Sequence, residues 1–446
     1  RYAYAVSVDG VDVPPERCSG LKAGHFTFKT YPPEGRKARF AVGFGGGAGY
    51  TPWHERMWDV IRGRNPLAFL LLGDNVYIDT PKVPETQRYC YYRRQSRPEF
   101  RRFASTRSVY AIWDDHDFGT NDCNSTLQVD KPEWKPDVLK VFKQQWANPF
   151  YGGGTDQPGV WHFFSIGDVE FFMLDCRYYR TDPGMDDPSM LGPDQKAWLL
   201  DNLRRSTATF KVIASSVPWA KGTKPGSQDT CDGYPGEREE IFSFIRDQRI
   251  EGVILLSADR HRSDAWRVLR PHSYHMYDLE SSKLTNIHTH RIIPGCLFGY
   301  NEKCSFGLLE FDTAAADPSV RYKIVNIEGK VVDALELRRS MLDFDQIQIQ
   351  DGIEVGLRVE RTALVGADGK VRPAELRLEL SNPGKENRRG RIAIEVRPAR
   401  DAEVAEAPIE YDIGPGKTAE KTLSVNVAAT AGGRSIVVRA REARTD

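Results

Sequence analysis

No stretch of the chain holds the roughly 18 consecutive apolar residues of a bilayer-spanning helix; the longest apolar run, Leu67–Leu72, is strand-length. No transmembrane segment is therefore expected. Surplus charge is also lacking, since 62 Lys and Arg balance 62 Asp and Glu. A nucleic-acid or polyphosphate carrier draws its affinity from an excess of Lys and Arg, so that role is excluded. None of the seven cysteines belongs to a Cys-x-x-Cys pair, which argues against a zinc ribbon or a thioredoxin-like site. One or two disulfides are compatible with the spacing, Cys296 and Cys304 being the nearest candidates, and the odd count leaves at least one thiol free. No Gly-x-Ser-x-Gly elbow is present, so a serine hydrolase has no nucleophile. Gly43–Gly49 is rich in glycine but lacks the Lys-Ser/Thr of a nucleotide phosphate loop, and reads as close approach of backbone to a site. The chain starts at Arg1, not Met, so an export signal would already be gone and its absence proves nothing.

What is present divides into three textures, consistent with two or three domains in 446 residues. Residues 1–38 alternate as strands do, in Tyr2–Val8 and His25–Phe28. Two or three strands form no stable sheet alone, so they read as the end of an N-terminal β-domain or as strands that dock on the next one. Residues 39–345 carry short apolar runs: Phe69–Leu72, Val109–Trp113, Phe171–Leu174, Phe210–Ala214 and Val253–Leu256. Such runs are strands buried on both faces. Helices are expected between them over Pro52–Ile61, Lys135–Trp146, Pro193–Arg205 and Glu237–Gln248, which makes this segment α/β. Residues 346–446 switch to period-two alternation, as in Ile353–Val359, Leu376–Leu380, Ile392–Val396 and Ile436–Ala440. Five or six strands separated by turn residues such as Ala367–Gly369 and Gly414–Gly416 describe an immunoglobulin-like β-sandwich.

In an open α/β sheet, ligands bind beyond the carboxyl ends of the strands. Four apolar runs end in acids there: Gly73-Asp74, Asp114-Asp115-His116-Asp117, Asp175-Cys176-Arg177 and Asp259-Arg260-His261. A lone Asp in such a place more often caps a turn or helix. Three acids in four residues exceed what capping needs, and clustered carboxylates resist burial unless cations neutralise them. With imidazoles among them, a metal is the expected neutraliser. Asp74 is placed to bridge two ions; Tyr77 is either a phenolate ligand or an ordinary core tyrosine. Asp259 and His261 form an i, i+2 pair suited to chelating one ion. His116 lies beside the expected ligand Asp115, and we take it, with Asp117, as a catalytic candidate. Arg177 and Arg262 are candidates for clamping phosphate oxygens, or else surface ion pairs. His288 and His290 are a further i, i+2 pair, either a second metal site or a loop near the first.

Together, Phe69–Tyr77, Ala111–Asp117 with Asn121-Asp122, Leu174–Arg177 and Leu256–His261 resemble the alkaline phosphatase D (PhoD-like) family of calcineurin-like metallophosphoesterases, over roughly residues 1–340. The resemblance implies a metallophosphoesterase-type sandwich of β-sheets flanked by helices. It implies metal-dependent hydrolysis of phosphate mono- or diesters by a metal-activated hydroxide, at two or more metal ions (iron, calcium or zinc). It puts Asp74, Tyr77, Asp115, Asn121, Asp259 and His261 on metal-binding positions and His116 at the histidine of an Asn-His-Glu/Asp motif. It also implies a periplasmic or extracellular enzyme. One departure stands out. The family's first motif carries a cysteine ligand, whereas this chain has Val42–Gly46 there, without a ligating side chain. The iron site would then lack one ligand, borrow another such as His54, or hold a different metal. The alternative expectation is a degenerate enzyme kept as a binding module, with the C-terminal sandwich gripping polysaccharide or protein.

Overall fold

Two sheets are built from the buried strands between residues 39 and 344. The computed structural model describes residues 1–125, 132–270, 273–344, 354–361, 364–365, 371–382, 387–397, 402–404, 408–427 and 437–442. Four two-residue strands come first, β1 (Tyr2–Ala3), β2 (Ser7–Val8), β3 (Val11–Asp12) and β4 (Thr27–Phe28). They pair as β1 on β4 and β2 on β3. Next are β5 (Arg39–Gly45), β6 (Ala68–Leu72), β7 (Ser108–Ile112), β8 (His162–Ile166), β9 (Val169–Met173), β10 (Phe210–Ala214) and β11 (Val253–Ser257). The series closes with β12 (Ser263–Val268), β13 (Met276–Ser281), β14 (Phe298–Tyr300), β15 (Ser305–Asp312), β16 (Ser319–Asn326) and β17 (Val331–Arg338). One sheet runs β17-β16-β15-β5-β6-β7 and the other β14-β12-β13-β11-β10-β9-β8. In each, a parallel core (β5-β6-β7 and β9-β10-β11-β13) carries antiparallel edge strands.

Rings join the two sheets face to face. Phe311 of β15 meets Phe171 of β9 and Phe210 of β10 at 6.0 and 5.9 Å between centroids, and Tyr110 of β7 stacks on Phe164 of β8 at 3.7 Å. Alternation then aims Phe163 and Phe172 the other way, onto Trp198 of a helix.

The helices are α1 (Met57–Gly63), α2 (Pro84–Gln95), α3 (Pro98–Ala104), α4 (Asp115–Phe118), α5 (Lys135–Gln145), α6 (Pro193–Arg205) and α7 (Pro235–Asp247). The single helix expected over Pro52–Ile61 is a 3₁₀ turn, Pro52–His54, followed by α1. Between them Glu55 turns inward, fully buried, to Arg94 of α2 at 3.0 Å. α2 and α3 escape the apolar pattern because arginines, with Gln and Tyr in α2, interrupt it; each opens on a proline, Pro84 and Pro98, whose ring fits the first helical turn.

Residues 1–344 form one compact unit and 345–446 another. In the second, β18 (Glu354–Arg361), β19 (Leu364–Val365), β20 (Val371–Arg372), β21 (Ala374–Ser381), β22 (Arg388–Arg397), β23 (Ala402–Val404), β24 (Ile409–Ile413), β25 (Thr418–Val427) and β26 (Val437–Glu442) are antiparallel throughout. Sheets β18-β21-β25-β23 and β24-β22-β26 share one apolar core, with Leu376, Leu378 and Leu423 from the first and Ile392, Ile409 and Ile413 from the second. Residues 345–353, which hold most of the expected junction and Ile353, lie outside the described residues, as do the turns 366–370 and 383–386.

Candidate metal centre

Glycines let four strand ends converge. A Cβ on Gly46, just past β5, would lie 2.8 Å from the Ala258 Cβ and 2.9 Å from the Gly73 carbonyl; one on Gly73 would lie 2.6 Å from the Asp114 Cβ. The ends of β5, β6, β7 and β11 are thus in backbone contact, as the glycine-rich Gly43–Gly49 segment suggests. Beyond them Asp74, Asp259 and His261 take positive φ values of 51°, 74° and 45°. Non-glycine residues in the left-handed region cost energy and concentrate at functional sites.

Asp74 is 2% exposed. Its Oδ2 accepts from the Tyr77 hydroxyl at 2.9 Å, and its Oδ1 is buried without a partner. Burial, then the carboxylates of Asp115, Asp114, Asp117 and Asp259, push its carboxyl well above the usual range. Tyr77 also lies 3.3 Å from Nε2 of His261, whose Nδ1 is another buried atom without a partner. Asp115 accepts from the backbone N–H of His116 at 3.0 Å and of Asp122 at 2.6 Å. Ligand atoms of Asp74, Asp115 and His116 all lie within 4.8 Å of one another, as do those of Asp115, Asp122 and Asp229. The first group holds an orphaned buried carboxylate oxygen, that of Asp74, so its residues fit a cation. The second is already answered by Arg177 and Arg180, each 2.8 Å from Asp229, and by Lys224 at 3.0 Å. Burial would raise the Asp229 carboxyl, but those three cations hold it well below the usual range. Asp259, 3.3 Å from Arg260 and 3.5 Å from Lys224, stays raised because burial outweighs them.

Beside the acids, Nδ1 of His116 lies 2.6 Å from Oδ1 of Asp79, and its ring packs 4.3 Å from that of Tyr77. Burial opposes a charge on this imidazole, yet the Asp79 contact and the fields of Asp115 and Asp114 prevail and raise it to about 9.

Several expected site residues serve the scaffold instead. Asp117 accepts from the backbone of Asn75 and Val76 at 3.0 and 3.1 Å and, with Asp114, forms the capping box of α4. Two of the three acids in Asp114–Asp117 are therefore used in capping, contrary to the expectation drawn from their number. Asp114 also binds Arg177 at 2.6 Å. Arg177 has no exposed surface, and its donors go to Asp114, Asp229 and the Cys123 carbonyl, so it is spent within the scaffold and not open to a phosphate. Arg262 is equally buried and pairs with Asp264 at 2.5 Å and Glu280 at 3.5 Å. Asp175 accepts from Trp113 Nε1 and three backbone amides, outside both ligand groups. Asn121 is exposed on the loop beside Asp122. His54 is held by the Thr285 carbonyl at 3.0 Å and the Cys304 thiol at 3.3 Å, and joins neither group. Cys304 is therefore not bridged to Cys296; both are free thiols.

Three residues at the site do not stand out in the sequence. Asp79 follows Tyr77 by two residues, and a carboxylate so near a candidate histidine is a usable signal. Lys224 and Asp229 sit in a loop whose composition says nothing about where it folds.

Residues 40–285, more than half of the chain, match the model of the PhoD-like phosphatases. The chain belongs to the PhoD-like phosphatase family. It is 29% identical over 208 residues to alkaline phosphatase D of Bacillus subtilis, a match covering 38% of this chain and 35% of that one. It is 27% identical over 234 residues to purple acid phosphatase 21 of Arabidopsis thaliana, covering 51% and 44%. A solved PhoD structure superposes with a TM-score of 0.57 at 18% identity over 70% of this chain and 71% of that one, so the fold is shared. The chain spans between a third and a half of the length of these two curated relatives. Within the PhoD-like segment lie Asp74, Tyr77, Asp115, His116, Asp259 and His261, the residues gathered at the strand ends. No helix among the described residues is long and apolar enough to cross a membrane.

Proposed function

We propose that this PhoD-like chain hydrolyses phosphate mono- or diesters at a cluster of two or more metal ions, as an exported enzyme. The observation that carries this reading is Asp74: a buried carboxylate with one oxygen unpartnered, raised by burial and by four neighbouring acids. Such a group is neutralised by a proton or by a cation, and its open oxygen suits the cation. Asp74 and Asp115 would hold the ions, with Tyr77, Asp259 and His261 at their flanks. The oxygen donors suit calcium or ferric iron, and the imidazoles suit zinc. When bound, the ions supply Lewis-acid charge and lower the pKa of the attacking water.

The protein's own groups do the rest. Asp79 orients His116 through Nδ1 and favours its protonated form. Nε2–H is then the donor left to face a phosphoryl or leaving-group oxygen. Lys224 and Arg260 place fixed positive charge beside Asp259. A binding-only role is not favoured, because family and curated matches alike are phosphatases. Asp74→Ala and Asp259→Ala should each lose bound metal and nearly all turnover while remaining folded by circular dichroism. Full metal stoichiometry in either variant would overturn the assignment.

A further inference from the structure

The turn that carries Asp74 is held by a buried guanidinium. Arg94, near the end of α2, is 1% exposed, and its donors reach three loops of the site. Nη2 donates to the Ala48 carbonyl at 2.6 Å and Nη1 to the Asn75 carbonyl at 3.3 Å; Nη2 also donates to the Thr285 hydroxyl at 3.3 Å. Ala48 adds a bond of its own, from its backbone N–H to the Asp74 carbonyl at 2.8 Å. Arg94, Ala48 and the Asp74–Asn75 pair therefore close one hydrogen-bonded ring, around a residue whose φ of 51° is unfavourable for any side chain. The third loop joins them: the Thr285 hydroxyl donates to the Gly49 carbonyl at 2.7 Å, and the next side chain, Asn286, bonds the Tyr77 hydroxyl.

Glu55 answers the buried cation. Its carboxylate lies 3.0 Å from Nε of Arg94 and accepts from Trp58 Nε1 at 2.9 Å. Burial pushes the Glu55 carboxyl up and the Arg94 guanidinium down, and each partner works against the other's shift. A buried pair of this kind adds little net stability over a well-packed apolar replacement. A planar fork does what no apolar side chain can, which is to satisfy carbonyls on separate loops at once. We propose that Arg94, with Glu55 as its counter-charge, is a positioning residue for the metal centre: it fixes the Asp74–Asn75 turn against Ala48, and so the aim of the open Asp74 oxygen, without itself being a ligand.

The proposal rests on the metal reading above, and one experiment separates the two. The full chain is stripped by chelator and titrated with Mn²⁺, an ion suited to carboxylates, with binding followed by calorimetry and folding by circular dichroism. Arg94→Lys keeps the charge opposite Glu55 but loses the fork; Arg94→Met/Glu55→Leu removes both charges and leaves neither unpaired. Each should bind Mn²⁺ about 10- to 100-fold more weakly while folded, the range for residues that support metal ligands from outside. Leu203→Ala, a buried truncation on α6 away from these loops, should lower the denaturation midpoint yet keep wild-type affinity. Wild-type affinity in a folded Arg94 variant overturns the proposal, as does failure of both to fold, which would make the pair purely structural. An equal loss of affinity in Leu203→Ala overturns it too, since lost stability would then account for the effect. Asp74→Asn is titrated alongside. Weakened binding there, beside none in Arg94→Lys, overturns this proposal alone; unchanged binding in Asp74→Asn overturns the metal reading itself.

Discussion

His116 is where position and chemistry meet most closely. His116→Ala should retain its metal and lose roughly 10²–10⁴-fold in kcat, the range for removing a positioned proton donor; metal loss alongside would make it a ligand instead. Asp79, held to it at 2.6 Å, should matter only through the ring, so Asp79→Asn should fall short of the His116→Ala loss. A second histidine sets a pH limit on stability. His162 is fully buried, and burial lowers it to about 4. The folded protein keeps this ring neutral while the unfolded chain protonates it below about 6.5. Its contribution, on the order of 3 kcal/mol, is therefore present above pH 6.5 and lost as pH falls toward 4. Urea unfolding of the wild type and of His162→Leu across that window should show the steeper decline in the wild type; parallel curves would contradict the assignment. At this scale the sequence reveals the acids at strand ends but not their division of labour. Asp74 and Asp117 look alike in the chain, and only the backbone amides around Asp117 show that it serves a helix end.

Elements are more legible than side chains. The apolar runs at Phe69–Leu72, Phe210–Ala214 and Val253–Leu256 lie within buried strands, because burial on both faces leaves a continuous signature. The edge strand β17 leaves none, because all but one of its residues are half-buried or exposed. Convergence of β5 on the site depends on glycine: a Cβ at Gly47, with φ +62°, would lie 1.9 Å from the Ser282 carbonyl. Gly47→Ala should cost at least about 2 kcal/mol, a backbone clash in an αL position, and should loosen metal binding since His261 is the next neighbour. A denaturation midpoint equal to the wild type's would show that the loop has room to shift.

At the scale of the molecule, the change from short apolar runs to alternation marks the C-terminal β unit in the sequence alone, since two-sided and one-sided burial write different periods. All the residues gathered at the centre lie between Asp74 and His261, within residues 1–344. A 1–344 fragment should therefore bind metal and hydrolyse a nitrophenyl ester at a rate near that of the full chain. An insoluble or inactive fragment, beside active full-length protein, would show that the C-terminal unit is needed to complete the fold. The central claim is metal-dependent phosphoester hydrolysis, and metal removal tests it most directly. Purified protein is assayed for metal content, then for turnover of p-nitrophenyl phosphate and bis-p-nitrophenyl phosphate before chelation, after chelation and after metal is restored. We predict bound metal at the outset, loss of turnover on chelation and recovery with added metal. Turnover that persists in metal-free protein, or none in metal-replete protein, would contradict the account.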